Sequence, residues 1–300
     1  MRKKPLTARY KALTPRKFPF YRLNTHTLFE LLAAISPVGI LRLPVSVSIM
    51  PYEPVEVLKV PSRVLTLLSF PAVRRLGKYT IHRHFLTGLK VLLPDVESLD
   101  VYHHIWFRQD YEKVAKPHEG DIVIDVGAHV GLFTLRCLKC HKVSFVVAIE
   151  PHPLNAKLLR ANLALNKLKR KSTVVEAALG RREGMGELYV AGAAGQHSLF
   201  YDERKHKGRP ALRVRITTAD KLVHELHLKR VDFMKIDVEG AELDVLMGAR
   251  ELLREFRPVL VIEVHTDRMP GVLRLLRAYG YSLYMLPYGV DTVHITAVPR

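Results

Sequence analysis

The sequence predicts an α/β protein with a doubly wound, mostly parallel sheet, an antiparallel hairpin at its C-terminal edge and a mixed N-terminal extension. Three observations predict it. From Asp121 onward, short apolar runs alternate with helical patterns, the signature of a parallel sheet covered on both faces. Two of those runs, ending at Asp125 and Glu150, stop in an acid followed by a turn. The final pair of apolar segments flanks Pro287-Tyr288-Gly289, a turn that permits an antiparallel hairpin at a sheet edge.

Before Gly120, Pro and Gly interrupt the chain often, and the pattern reads as strands near Val45–Met50, Pro54–Val60 and Val64–Phe70 with a helix over Val101–Lys116. Residues 1–115 are therefore assigned to a basic arm with a mixed α+β extension, and residues 116–300 to the main domain. In that domain Asp121–Val126 is a continuous apolar strand, and Gly131–Lys139 a helix entered through a glycine turn. Ser144–Ile149 is the next strand, Leu154–Leu165 a helix and Ser172–Ala178 a third strand. Gly186–Val190 and Ala211–Ile216 read as a pair around the polar loop Ala191–Pro210. Val231–Ile236 is a buried strand, Ala241–Phe256 a helix, Pro258–Val264 a strand and Pro270–Tyr279 the last helix. Tyr281–Leu286 and Thr292–Val298 form the hairpin.

A chain of 300 residues with 48% hydrophobic content can bury a full core. Its net charge of +18 favours phosphate-bearing partners without choosing among nucleic acid, anionic lipid and phosphorylated sugar. Only the first 22 residues, with eight basic and no acidic side chains, concentrate that charge. Two cysteines build no disulfide framework, and no apolar run follows the charged start as in a signal peptide, so the expected location is cytoplasmic. Thr27 to Met50 is broken by Glu30, Pro37, Arg42 and Pro44, whereas a spanning helix needs about 20 mostly apolar residues. The expectation is no integral span. Leu28, Phe29, Leu31 and Leu32 beside the basic arm are compatible with peripheral association with an anionic membrane.

The strongest local signal is VIDVGAHVG, Val123–Gly131, between an apolar strand and a helix. Open α/β sheets bind ligands at such turns, where glycine lets a cofactor approach the backbone, a role assigned to Gly127 and Gly131. Asp125 at the strand end is placed to reach an ammonium group. A dinucleotide fingerprint needs G-x-G-x-x-G to seat a pyrophosphate, and His129 occupies the middle glycine's place. NAD is disfavoured, and S-adenosylmethionine, which has no pyrophosphate, suits the turn better. Glu150 ends the next strand and is placed to accept both hydrogen bonds of a ribose diol. In VDFMKIDVEGAE, Asp237 and Glu239 reach the same edge, although acids at a helix start also serve as caps, an alternative open for Glu239 and Glu242. PVLVIEVH adds Glu263 and His265 to that rim.

With these segments in hand, the chain resembles the FkbM-type family of S-adenosylmethionine-dependent methyltransferases. Val123–Leu135, Val146–Asn166, Glu176–Gly180, Val231–Ala249 and Pro258–His265 carry the resemblance, and KIDVEGAE is its most specific element. It implies a class I methyltransferase (Rossmann-like) fold over residues 116–300 and cofactor contacts at Asp125, Gly127, His129, Gly131, Glu150, Pro151 and Ala178. His129 departs from the Asn common in such families but keeps a hydrogen-bonding side chain.

Methyl transfer is an in-line displacement, so the protein chiefly aligns acceptor and methyl group, and a hydroxyl acceptor must also lose its proton. Asp237, His265 and Glu263 are the candidate bases, and His197 could contribute from the loop. Asp237, Glu239, Glu263 and His265 could alternatively gather a divalent metal, although the favoured reading needs none. Cys137-Leu138-Lys139-Cys140-His141 matches a haem-attachment pattern by chance, since it falls on the helix after the glycine turn. The expected reaction is O-methylation of a hydroxyl on a sugar, glycolipid or other small acceptor. The alternative is an RNA methyltransferase that uses the basic N-terminal region as a phosphate-binding platform, against which stands the absence of a base-methylating motif at VIEVH. The loop Ala191–Pro210 is the candidate acceptor-facing lid.

Overall fold

The structure, a computed structural model, describes residues 72–76, 79–83, 87–94, 97–191, 197–288 and 291–300. The strands expected near Val45–Met50, Pro54–Val60 and Val64–Phe70, the basic arm and the tip of the polar loop at 192–196 lie outside the described residues. Three strands, β1 (Ala72–Leu76), β2 (Tyr79–Arg83) and β3 (Lys90–Leu93), pair antiparallel in that order. Helix α1 (Glu97–His103) follows and widens into a turn over His104–Arg108. Gln109 then adopts left-handed backbone (φ +54°) and returns its N–H to the His104 carbonyl, so the single helix expected over Val101–Lys116 ends there. That break turns Asp110 and Tyr111 inward, where both are buried.

From β4 (Ile122–Val126) onward the chain alternates as expected. Helix α2 (Leu132–Arg136), β5 (Phe145–Ile149), α3 (Pro153–Leu165) and β6 (Ser172–Val175) complete the first half of the main sheet. Next come β7 (Ala178–Leu179), β8 (Gly184–Tyr189), α4 (Glu203–His206), β9 (Ala211–Thr217) and α5 (Ala219–Glu225). The second half contains β10 (Phe233–Ile236), α6 (Glu242–Met247), α7 (Arg250–Glu255), β11 (Val259–His265) and α8 (Met269–Ala278). Strands β12 (Tyr281–Pro287) and β13 (Thr292–Pro299) end the chain.

Seven strands form the main sheet in the order β12-β13-β11-β10-β4-β5-β6. All pairings from β11 to β6 are parallel, and β13 runs antiparallel to both β11 and β12. This is the doubly wound sheet with an antiparallel edge hairpin that the sequence predicts, and the class I methyltransferase architecture. The central strands are apolar throughout because both faces are covered. On one face Val123, Val146 and Phe233 pack with α2, α3 and the extension residues Leu89, Val91, Tyr102 and Trp106. On the other, Ile124, Val147 and Met234 pack against α5 to α8.

Two elements differ from expectation. The single strand expected over Ser172–Ala178 is split: β6 belongs to the main sheet, while β7 leaves it for a small sheet ordered β7-β9-β8. Strands β8 and β9 are the antiparallel pair expected there. The helix expected over Ala241–Phe256 is two helices, because Gly248 lies so close to the Gly180 carbonyl that a Cβ would sit 2.1 Å from its oxygen. The Asp220 carboxylate restarts the second, accepting from the Glu251 and Leu252 amides. Among the described residues, no helix is long and apolar enough to cross a membrane.

Candidate active site

The carboxyl ends of β4, β5, β10 and β11 open into one cavity of about 380 Å³, the position at which open α/β sheets bind ligands. At its β4 end the chain turns sharply: Gly127 and Ala128 both donate N–H groups to the Ile149 carbonyl at 3.0 Å. Gly127 lines the cavity in left-handed backbone (φ +72°), yet its missing Cβ serves the protein itself, for a Cβ would lie 1.8 Å from the Asp237 carbonyl oxygen. At Gly131 (φ +88°) a Cβ would meet Leu159 Cδ1 at 2.2 Å. Both glycines thus bring neighbouring elements together, a physical reason additional to the cofactor approach expected of them.

Asp125 is fully buried and turned away from the cavity: Thr134 Oγ1 donates to its Oδ2 at 2.6 Å and Lys235 Nζ lies 3.3 Å from Oδ1. Lys235, in the middle of β10, also lies 3.4 Å from Asp237 Oδ2, donates to the Gly127 carbonyl at 2.9 Å and sits 5.1 Å from the centre of the Tyr111 ring. Burial disfavours its charge, but Asp125 and Asp237 more than compensate and hold its pKa above the ordinary lysine value. This buried cation ties the β4 turn to β10.

Glu150 lines the cavity at the end of β5, oriented by the His129 and His152 amides at 2.8 and 3.0 Å and by Asn155 Nδ2 at 3.5 Å. Burial pushes its pKa up to about 7, against the opposing pull of those amides. His129 (φ +52°), Pro151 and Ala178 line the same end. His152 and His197 face each other with ring centres 4.3 Å apart, and His197 Nδ1 accepts the Ala191 amide.

The opposite end holds Asp237, Glu239 and Glu263. Tyr111 donates its hydroxyl to Asp237 Oδ2 at 2.8 Å and lies 3.3 Å from Glu263 Oε2. Glu263 is further contacted by His294 Nε2 at 3.1 Å. Burial and then the Asp237 charge raise the Glu263 pKa, with His294 opposing. Tyr288 lies 3.9 Å over the His294 ring and meets His104 Nδ1 at 2.6 Å. His265 does not line the cavity; its Nε2 lies 3.6 Å from Glu239 Oε2. Glu242 takes the capping role left open for it, accepting the Gly240 amide at 2.7 Å, and burial pushes its pKa up to about 7. Among the described residues, no three His, Cys, Asp or Glu side chains converge to hold a metal ion. Cys137 is buried with its thiol pKa raised by burial, and His141 pairs with Glu112.

The sequence reading missed Lys235, Tyr111, His294 and Tyr288. A lysine inside the apolar run VDFMKID was a signal for the first, since a lysine is almost never fully buried unless paired. Nothing local marks the other three. The lining suits a cationic ligand with a ribose: Glu150, Asp237, Glu239 and Glu263 give it an acidic wall, in keeping with the sulfonium and ammonium charges of S-adenosylmethionine.

Comparison with known proteins agrees. A family model described as methyltransferase FkbM domain matches residues 125–283. Methyltransferase sdnD of Sordaria araneosa is 28% identical over 220 residues, covering 64% of this chain and 85% of that protein. The 2-O-methyltransferase NoeI of Sinorhizobium fredii is 24% identical over 229 residues, 70% of this chain and 88% of its own length. The hexuronic acid methyltransferase AglP of Haloferax volcanii is 28% identical over 163 residues, 53% of this chain and 62% of its own. His104, Tyr111, Tyr288 and His294 all fall outside the matched segment.

Proposed function

Because this chain belongs to the FkbM-domain methyltransferase family, with S-adenosylmethionine as methyl donor, we propose that it methylates a hydroxyl of a sugar, glycolipid or other small acceptor. The observation that carries the reading is Glu263: a cavity-lining carboxylate of raised pKa, opposite the Glu150 end of the same cavity. A general base works best when its pKa approaches the working pH, and a hydroxyl must be deprotonated to attack. Relatives named as a 2-O-methyltransferase and a hexuronic acid methyltransferase support the acceptor class.

In this reading Glu150 accepts the ribose diol, and Gly127, His129, Pro151 and Ala178 form the cofactor wall. Asp125 and Gly131 act from behind it: Asp125 through Lys235, which fixes the Gly127 carbonyl, and Gly131 through its packing on α3. Bound S-adenosylmethionine supplies a methyl group activated by the sulfonium charge. Glu263 takes the acceptor's proton, and Asp237, occupied by Tyr111 and Lys235, orients the wall beside it. His265 supports Glu239 at the rim. We assign residues 1–115 to an extension whose described part supplies Tyr111 and His104 to the acceptor end, and residues 116–300 to the catalytic domain.

The test is calorimetric titration of S-adenosylmethionine into wild type and Glu150→Ala, followed by transfer of labelled methyl to a panel of methyl glycosides by wild type and Glu263→Gln. Binding weakened at least tenfold by Glu150→Ala, and transfer lost in Glu263→Gln with cofactor affinity intact, are the expected results. Transfer to RNA instead, falling steeply with ionic strength, would overturn the acceptor class.

A further inference from the structure

The Glu263–His294 contact limits where protons can lie. His294 Nδ1 is 3.2 Å from the Asp110 backbone carbonyl, which can only accept, so Nδ1 carries hydrogen. Its Nε2 then meets Glu263 Oε2 at 3.1 Å, and two lone pairs would repel at that distance. One proton therefore lies between the ring and the carboxyl. Tyr111 also contacts Oε2, so both neighbours fall on one oxygen and Oε1 is left to the cavity that Glu263 lines.

The anchor is itself secured. The Asp110 side chain is buried against Lys113 Nζ at 2.7 Å, His104 Nδ1 at 3.2 Å and Arg108 Nε at 3.3 Å. Those contacts fix the peptide to which His294 donates. The ring is clamped on its faces as well, with Tyr288 at 3.9 Å and Tyr111 at 5.0 Å, both near parallel. A ring so held has one orientation, which gives the carboxyl it meets one orientation too.

We infer that His294 is a positioning residue for Glu263: clamped between Tyr111 and Tyr288 and anchored on the Asp110 carbonyl, it binds Oε2 so that Oε1 faces the acceptor hydroxyl. This rests on Glu263 being the base. Glu263 Oε1 takes the hydroxyl proton as the acceptor oxygen bonds the methyl carbon, and the carbon–sulfur electron pair leaves with the sulfur. The proton shared between His294 Nε2 and Oε2 opposes the rise in the Glu263 pKa that burial and the Asp237 charge produce. The groups facing the pair are Tyr111 and Asp110 before β4, Asp237 on the β10 edge with Lys235 behind it, Glu239 beyond, and Tyr288 and His104 above.

The test uses the full chain labelled with carboxyl-¹³C glutamate and ring-¹⁵N histidine. Glu263 is identified by the resonance missing in Glu263→Gln. The expected result is that His294→Gln moves the Glu263 carboxyl titration upward by at least one pH unit, while Glu150 and the affinity for S-adenosylmethionine stay unchanged. In wild type, which needs no variant to fold, His294 should be protonated at Nδ1 throughout. An unmoved Glu263 titration in a folded His294→Gln protein, or a wild-type ring bare at Nδ1, would overturn the inference. Failure of the underlying reading looks different: Glu263→Gln would then keep wild-type transfer to methyl glycosides. Loss of transfer in Glu263→Gln with an unmoved titration in His294→Gln sinks the positioning role alone.

Discussion

Lys235 Nζ donates to the carbonyl oxygen of Gly127 at 2.9 Å, joining the middle of β10 to the turn after β4 from beneath the cavity. The same ammonium pairs with both Asp125 and Asp237, and all this happens with Lys235 only 3% exposed. Removing one partner of a buried ion pair leaves an uncompensated charge, which costs about 3–5 kcal/mol. Lys235→Met should therefore lower stability by about that amount in urea unfolding, and weaken S-adenosylmethionine binding in whatever fraction stays folded. A variant as stable as wild type would show that the two carboxylates need no cation.

The glycines make a sharper case. Gly127→Ala puts a Cβ against the Asp237 carbonyl, a backbone atom that cannot swing away, in a left-handed conformation that alanine disfavours by about 1–2 kcal/mol. Gly131→Ala carries the same left-handed cost (φ +88°) but meets only the tip of the Leu159 side chain, which can change rotamer. With overpacking at about 1–3 kcal/mol, Gly127→Ala should cost about 2–5 kcal/mol and Gly131→Ala distinctly less, by thermal or chemical unfolding. The reverse ranking would mean that the β4 and β10 turns do not approach as closely as described.

Those two residues also show what was legible in the sequence. That a glycine turn follows an apolar strand could be read directly, because strand period and turn chemistry are local. That the space beside Gly127 is filled by the turn after β10, 110 residues later, could not. The same holds at the acceptor end: Asp237 and Glu263 stand at strand ends that periodicity locates, whereas Tyr111 and His294 arrive by a left-handed break at Gln109 and by the register of β13 on β11. The interruption at Gly248 lay in a run whose apolar spacing continued across it, so only the approach to Gly180 reveals it.

Glu150 makes stability depend on pH. Its folded pKa is raised from the ordinary carboxylate value of 4.5 to about 7, so the folded state holds the proton more tightly than the unfolded chain. The sign follows: stability is greatest below about pH 4.5 as far as this group is concerned, and is lost as pH rises through about 7. The loss amounts to about 3 kcal/mol in the cofactor-free protein. Glu150→Gln should flatten the fall in stability between pH 5 and pH 8 measured by urea midpoints. Cofactor affinity in wild type should rise over the same interval, because the ionised carboxylate is the better acceptor for a ribose diol. An affinity independent of pH would argue that the diol binds elsewhere.

The extension should prove inseparable from the catalytic fold. Glu112, just before the main sheet, receives Arg136 of α2 through two bonds, Nε at 2.6 Å and Nη2 at 2.8 Å, with both side chains buried. Burial alone would raise its pKa, but hydrogen bonds from His141 and Arg136 outweigh that and lower it. Its contribution is present above the ordinary carboxylate range and is lost as pH falls through the lowered value. Glu112→Ala strands the Arg136 guanidinium and should cost about 3–5 kcal/mol at pH 7. That penalty should shrink in acid, where wild-type Glu112 is itself protonated. Deleting residues 1–115 goes further, uncovering the α2 and α3 face on which Leu89, Val91, Tyr102 and Trp106 pack. Burying one large apolar side chain contributes about 1.5–3 kcal/mol, so losing four removes about 6–12 kcal/mol, comparable with the whole stability of about 5–15 kcal/mol typical of a domain. The fragment 116–300 should aggregate or bind a hydrophobic dye where the full chain does not. A monomeric, cooperatively folding fragment would show instead that the two parts are independent units.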